Sequence, residues 1–260
     1  VGPAAAGVLG TTSLGPRLPI LVAAAFSLVT TVAIVAGLKT PPPCPEGAPS
    51  PSVTEAGLCQ QAKPAKDAAL TTEVAPLFKA PAVFRVVVAC FAIFLAFNLF
   101  YAGFPLHAAT AYGWDTGRLG LFFAMLSGFM IVAQGPVLRF VAQRFPPPVA
   151  FALGMASLAA SMVLLAVPLP FFAAGFFALG NGLAWPTFQT RIAEVAPDQQ
   201  GEVQGMTTSA GSMASILGLL LGGALYPGLG VGLFLGSGVV FFVVLSLTPL
   251  WFSSSEPPST

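Results

Sequence analysis

Seven uncharged apolar runs constrain the fold of this chain more than any other feature of its sequence. They cover residues 18–38, 86–107, 119–138, 149–167, 171–190, 203–226 and 229–252. A helix of about 20 residues is long enough to cross the hydrocarbon core of a bilayer. Lipid supplies no hydrogen-bond partners for the backbone, and the alternating pattern of membrane-spanning strands is absent, so each run is predicted to be helical. The sequence therefore predicts an all-α, multi-pass membrane protein.

The shortage of charged residues excludes most other classes of protein. Only 7% of the residues are charged, and the net charge of +1 includes no basic cluster for nucleic acid. Soluble domains usually carry about 25% charged residues. The three cysteines lack metal-ligand spacing and His107 is the single histidine, so no metal or cofactor is predicted. Serines such as Ser209 and Ser212 have no facing histidine, so no enzymatic activity is predicted.

The chain is predicted to consist of helix groups joined by a long polar segment. Residues 39–82 are rich in proline, alanine and serine, and their low apolar content predicts a flexible linker. Residues 1–38 are interpreted as the end of one helix bundle, residues 83–252 as a complete six-helix bundle and residues 253–260 as a tail. Residues 1–11 are apolar but too short to span, so they are expected to end a helix that begins earlier, which would make the chain a fragment.

The distribution of lysine and arginine predicts which loops face the cytoplasm. Alternate loops, counted from the linker, hold eight of the ten basic residues. The linker, the 139–148 turn, the 191–202 turn and the C-terminus are therefore predicted to be cytoplasmic. In this orientation Arg139 and Arg144 lie at the lipid headgroups. The very short connection Pro227–Gly228 predicts a tight turn between antiparallel helices.

Neutral polar residues recur at helical spacing on four of the predicted spans. On span 203–226 they accompany small residues, and Gly218 and Gly222 form the pattern of a close helix contact. The polar stripes are expected either to line a shared aqueous cavity or to hydrogen-bond between helices. The residues predicted to line the cavity are Asn98, Tyr101, Gln134, Asn181, Trp185, Gln189, Thr208 and Ser212. His107 is interpreted as an interfacial histidine, with a proton carrier as the alternative.

Three stretches resemble the major facilitator superfamily. Gly2-Pro3, followed by small residues and Gly7, is similar to the antiporter motif at the end of the family's fifth helix. Residues 135–144 resemble the cytoplasmic turn between helices eight and nine, without the family's acidic residue and second glycine. Residues 182–205 resemble the end of helix ten and the start of helix eleven. Within the superfamily, the chain is similar to the drug-efflux branch that includes tetracycline-efflux antiporters.

The resemblance implies two six-helix bundles that rock about a midplane substrate site, of which the chain covers the end of helix five to helix twelve. It implies proton-coupled efflux of small amphipathic compounds by a monomeric carrier in a plasma or bacterial inner membrane. Gly2, Pro3 and Gly7 would pack against a neighbouring helix, and Arg139 and Arg144 would pair with acids when the cytoplasmic side closes. The spans hold no acidic or basic side chain, so a coupling carboxylate is expected elsewhere. Metabolite uptake or facilitated diffusion, and a non-transporting membrane scaffold, stay open as alternatives.

Overall fold

The computed structural model describes residues 17–37, 80–195 and 199–252, and every regular element in these ranges is helical. The all-α prediction is confirmed for this part of the chain. The predictions for Gly2, Pro3 and Gly7, for most of the 39–82 linker and for the 253–260 tail fall outside the described residues.

The chain divides into two compact units, Ile20–Ala75 and the remaining residues. The described part of the first unit belongs to helix α1, Arg17–Gly37. The hydroxyl groups of Thr30 and Thr31 each donate to the carbonyl oxygen four residues earlier, at 2.8 Å. Helix α1 therefore satisfies these polar side chains within its own backbone, as an apolar surrounding requires.

The second unit consists of helices joined by short turns. In chain order its elements are α2 Pro81–Ala111, α3 Thr116–Val132, a π-helical turn Ala133–Val137, α4 Leu138–Arg144, α5 Pro147–Leu165, α6 Pro170–Val195, α7 Gln200–Leu229, α8 Gly232–Ser246 and α9 Thr248–Phe252. Proline is the first residue of α2, α5 and α6, where its missing N–H costs no helical hydrogen bond. The Asp115 carboxylate accepts from the backbone N–H of Arg118 at 2.8 Å and so caps the start of α3.

Several of these helices can cross a bilayer. Among the described residues, the helices that are long and apolar enough are Pro81–Ala111, Thr116–Arg144, Pro147–Leu165 and Gln200–Leu229. Residues Leu21–Ile34 of α1 and Gly232–Ser246 of α8 are apolar but shorter. Helix α6 has 26 residues and a more polar second half, which includes Asn181 and Gln189. All seven predicted spans coincide with helices, and four of these meet both the length and the hydropathy requirement.

Phenylalanine side chains fill the centre of the second unit. The rings of Phe100 and Phe177 lie 4.6 Å apart between α2 and α6, and those of Phe104 and Phe122 lie 4.3 Å apart between α2 and α3. None of these four side chains is more than 1% exposed. Aromatic pairs contribute about 0.5–1.5 kcal/mol each beyond the apolar area that they bury. These contacts hold α2 at the centre of the unit, where it also packs against α7 and α8.

Glycine lets α2 and α7 approach each other at backbone distance. A Cβ atom on Gly218 would lie 2.7 Å from the Asn98 Cβ atom, and one on Gly222 would lie 2.7 Å from the Ala102 Cβ atom. Real Cβ atoms essentially never come so close, so these positions accept only hydrogen without a shift of one helix. The contacts advance together along both helices, which shows that α2 and α7 run parallel.

Two turns lie at positions that the sequence did not predict. Helix α7 continues through Pro227 and Gly228, and the chain leaves the helix at Gly230, whose φ of 51° favours glycine. Pro227 removes only one backbone donor, so the helix persists to the residue that can adopt a left-handed conformation. The predicted 139–148 turn is mostly helical, because α4 extends to Arg144 and the chain reverses in the two residues that follow.

Candidate functional site

A cleft opens between α2, α6 and α7, and its volume is about 380 Å³. It is lined by Cys90 and Phe94 of α2, by Trp185, Gln189 and Ile192 of α6, and by Gln204, Thr207, Thr208, Gly211, Ser212, Ser215 and Ile216 of α7. Every lining side chain is uncharged. The described residues also contain no group of three histidine, cysteine, aspartate or glutamate side chains that could hold a metal ion. The cleft therefore presents an uncharged surface to a ligand.

An aromatic pair forms one side of the cleft. The rings of Phe94 and Trp185 lie 5.2 Å apart and are nearly perpendicular, at 77°. Across from them, a Cβ atom on Gly211 would lie 3.4 Å from the Phe94 ring, so the absence of a side chain there makes room for the ring. The pair presents an apolar face and an indole N–H, and this combination favours a flat ligand with some polar edge.

Hydroxyl and amide groups also line the cleft. Thr208 and Ser212 are exposed and stand one turn apart on α7, while Gln189 is half-buried on α6. The Thr207 hydroxyl bonds to backbone carbonyl oxygens of its own helix at 3.0 Å, and the Cys90 thiol donates to the Thr207 carbonyl at 3.4 Å. Thr208 and Ser212, by contrast, have no hydrogen bond to another described residue, so their hydroxyl groups are available to a ligand.

Asn98 lies beside the cleft and joins two of its helices. Its side-chain N–H groups donate to the Phe94 carbonyl oxygen at 2.8 Å and to the Ser215 hydroxyl oxygen at 3.0 Å. The Ser215 hydroxyl in turn donates to the Gly211 carbonyl at 2.8 Å. One proton of the amide is thus used within α2 and the other between α2 and α7. The polar stripes were expected either to line a cavity or to hydrogen-bond between helices. In this structure Asn98 forms a hydrogen bond between helices.

The predicted cavity residues do not all meet. Trp185, Gln189, Thr208 and Ser212 lie together in the cleft. Tyr101 instead packs against the Phe123 ring of α3 at 6.3 Å and is 36% exposed. The two other residues stand apart from the cleft lining: Gln134 is exposed in the π-helical turn, and Asn181 is half-buried on α6.

The two arginines of the predicted cytoplasmic turn lie on helix α4. The Arg144 guanidinium carbon is 4.6 Å from the centre of the Phe140 ring, and Arg139 is exposed. Neither forms an ion pair within the described residues, where the pair present is Arg191–Glu194 at 3.5 Å within α6. In the described part of the chain, Arg139 and Arg144 therefore form no ion pair with an acidic side chain.

Sequence reasoning missed part of the lining. Phe94, Cys90 and Ser215 were not predicted as cavity residues, although Phe94 precedes Asn98 by one helical turn and Ser215 follows Ser212 by three residues. The spacing was a usable signal, since residues three or four apart share a helix face. The sequence does not show which helix each face packs against. An apolar residue such as Phe94 could therefore not be predicted to line a cleft.

A family model described as Major Facilitator Superfamily matches the chain over residues 1–206 and again over residues 135–260. The chain belongs to the Major Facilitator Superfamily. The second match begins at Gly135, where the stretch likened to the family's cytoplasmic turn also begins. A search of the curated proteins found no significant match.

Membership of the Major Facilitator Superfamily, together with the four apolar helices, makes the protein an integral multi-pass membrane transporter. The prediction of an all-α helical bundle of this superfamily is confirmed. Transporters of this superfamily act on small molecules and work in contact with lipid, so the uncharged cleft is the candidate for substrate contact.

Proposed function

We propose that the protein exports small amphipathic compounds in exchange for protons, by alternating access. The observation that carries this proposal is the cleft between α2, α6 and α7, which is lined by an aromatic pair together with hydroxyl and amide groups. A carrier needs a site that binds a ligand well enough to select it and weakly enough to release it. A surface of one aromatic pair and a few neutral polar groups meets both needs.

The chemistry of the cleft supports an uncharged contact surface on the substrate. A volume of about 380 Å³ accommodates a small organic molecule or part of a larger one. A charged group placed here would lose water without gaining an opposite charge, which is costly in an apolar site. Trp185 and Phe94 would contact the apolar body of the substrate, while Thr208, Ser212 and Gln189 would bond to its polar edge.

The proposed role of the helices follows from rigid-body motion of one bundle against the other around a fixed site. In that scheme Asn98 keeps α2 and α7 together, so that the two walls of the cleft move as one body. Arg139 and Arg144 would meet acidic groups when the cytoplasmic side closes. Tyr101, Gln134 and Asn181 stay candidates for substrate contact in another state of the carrier. The proposed site of action is a plasma or bacterial inner membrane, with the C-terminus cytoplasmic and the carrier monomeric.

A binding experiment tests the assignment of the cleft. The chain is reconstituted in lipid nanodiscs, and energy transfer from tryptophan to the neutral aromatic probe N-phenyl-1-naphthylamine is titrated, with empty discs as background. Replacing Phe94 by Ala, or Thr208 by Val together with Ser212 by Ala, is expected to weaken binding about fivefold, because each removes about 1 kcal/mol of contact. Ser209→Ala is the matched control, since Ser209 is exposed on the same helix and does not line the cleft. Unchanged binding in both cleft variants would refute the assignment.

A flux experiment separates efflux from uptake. The chain is reconstituted in liposomes that carry an imposed pH gradient, and movement of the same probe is followed in both directions. Proton-coupled exchange predicts that the probe moves against its gradient in the direction opposite to the protons, whereas proton-coupled uptake predicts movement in the same direction as the protons. Movement that is independent of the pH gradient would favour facilitated diffusion. No protein-dependent movement, together with stable binding of a partner protein, would favour the scaffold alternative.

A further inference from the structure

The sole histidine of the chain is buried at the end of α2 that is distant from Arg85. His107 is 5% exposed and is surrounded by the rings of Tyr112, Tyr226 and Phe234, at centroid distances of 5.1, 6.1 and 5.3 Å. The prediction of an interfacial histidine thus missed its burial between α2, α7 and α8. His107 does not line the cleft.

A chain of hydrogen bonds fixes the proton on one nitrogen of the ring. The Thr110 hydroxyl donates to the Leu106 carbonyl oxygen at 2.8 Å, and a carbonyl oxygen can only accept. The 3.0 Å contact between the Thr110 and Tyr226 hydroxyl oxygens must then use the Tyr226 proton. With that proton committed, the 2.9 Å contact between His107 Nδ1 and the Tyr226 oxygen requires a proton on Nδ1.

The other nitrogen of the ring is left as a base. Within the described residues Nε2 has no hydrogen-bond partner, and no fully buried side-chain nitrogen or oxygen lacks one. Nε2 therefore retains accessible surface. In the neutral ring it carries a lone pair, because Nδ1 already holds the proton.

We propose that His107 is a proton-binding site of this transporter, which takes up and releases its proton at Nε2 while Nδ1–H stays bonded to Tyr226. Uptake forms one N–H bond from the Nε2 lone pair and a proton supplied by water, and leaves the ring with one positive charge. No hydrogen bond of the chain is broken in either state. The site can thus load and unload without rearranging the contact between α2 and α7.

Among the residues that the structure describes, no fixed charge lies against the ring. Helix α7 contributes Tyr226, helix α8 contributes no titratable side chain, and the turn after α2 contributes Tyr112. Burial, and then the proximity of Tyr226, raise the pKa of the Tyr112 phenol, so it stays neutral beside the ring. Asp115 and Arg118 are exposed at the start of α3, and the Asp115 carboxylate accepts from a backbone N–H there. The faces of the neighbouring aromatic rings are the groups that can attract the imidazolium charge.

The experiment is nuclear magnetic resonance of the chain in lipid bilayers, with histidine as the only labelled residue type. Because the chain has one histidine, its two ring nitrogens give the only labelled side-chain signals. The expected result at high pH is a protonated Nδ1 and an unprotonated Nε2, and Nε2 alone should gain a proton as the pH is lowered. Replacing Tyr226 by Phe should lower the Nδ1–H population, whereas Tyr112→Phe should leave it unchanged.

The proposal fails if the native chain holds its proton on Nε2, or if the proton that is gained as the pH is lowered does not go to Nε2. Both variants keep the aromatic ring, and the histidine signal of each also reports whether the chain is folded. The measurement needs no substrate and no flux, so it is independent of the cleft assignment. A flux assay with His107→Gln then asks whether the site takes part in coupling, and loss of the pH-gradient dependence with intact probe binding is the expected result.

Discussion

The Asn98 side-chain nitrogen and the Ser215 hydroxyl oxygen lie 3.0 Å apart across the contact between α2 and α7. This bond stands directly behind the cleft, because Ser215 also lines it. Beyond this bond, Gly218 and Gly222 of α7 lie against the backbone of the parallel helix α2. At the far end of the contact, the His107–Tyr226 bond also joins the two helices. The wall of the proposed substrate site is thus one continuous interhelical contact.

The first prediction concerns the strength of this bond. Replacing Ser215 by Ala should destabilise the bundle by about 0.6–1.7 kcal/mol, the range found for hydrogen bonds between membrane helices. Unfolding in bicelles by added detergent measures the change, and a cycle with Asn98→Ala isolates the pairwise term. Additive effects of the two replacements would contradict the bond, and Ser209→Ala serves as the exposed control.

The second prediction compares two glycines on α7. Gly218→Ala places a methyl group 2.7 Å from the Asn98 Cβ atom and 2.9 Å from the Leu95 carbonyl, so it should cost about 1–3 kcal/mol. Gly223→Ala meets nothing within 4 Å and should be neutral or stabilising by up to about 1 kcal/mol, because alanine is the better helix former. The same unfolding assay measures both. Equal effects would show that the close approach of α2 and α7 does not exist.

The third prediction concerns water in the cleft. In a chain whose three cysteines are replaced by alanine, Ser212→Cys should react with a membrane-impermeant thiol reagent, because Ser212 lines the cleft. Met213→Cys should not react, although Met213 is 58% exposed, because the neighbouring face of α7 is bulky and apolar and is expected to meet lipid. The rate of labelling in bilayers measures the difference. Similar rates at both positions would argue against an aqueous cleft.

The fourth prediction concerns the orientation of the bundle. Gln143→Cys at the end of α4 should be labelled from the cytoplasmic side, and Ala111→Cys at the end of α2 should be labelled from the opposite side. The helix Thr116–Arg144 lies between the two positions and is long enough to cross the bilayer once. The two cysteines are therefore expected on opposite sides of the membrane. Labelling of intact and inverted vesicles decides the matter, and labelling of both positions from one side would end the proposed topology.

The sequence was sufficient to predict where helices lie, because an apolar run in lipid has no alternative to a helix. It underestimated their length: α2 begins at Pro81 and ends at Ala111, beyond the predicted 86–107. The added residues are outside the most apolar window but continue the helix, since valine, alanine and the first-position proline fit it. The length of an apolar run therefore predicts the part of a helix that lies in lipid, and the helix itself extends further.

The sequence was less informative about which residues meet. An ideal wheel puts His107 opposite Asn98, yet both side chains bond to α7, at Tyr226 and Ser215. Eight residues, among them Pro105, separate Asn98 from His107, and the path of one long helix across another cannot be read from one wheel. The α5–α6 contact was missed for the same reason: a Cβ atom on Gly180 would lie 2.7 Å from the Gly154 carbonyl oxygen, although Gly180 and Ala184 form a small-residue pair at the right spacing.

The π-helical turn Ala133–Val137 has a consequence for the end of the third span. The Leu138 N–H bonds to the Ala133 carbonyl, five residues back, so one extra residue is accommodated in that turn. Every side chain beyond it is therefore rotated by about 100° from the azimuth that an unbroken α-helix would give. Shifting this wide turn along the helix would swing Arg139 and Arg144 to a new face while the membrane-embedded part of α3 stays where it is.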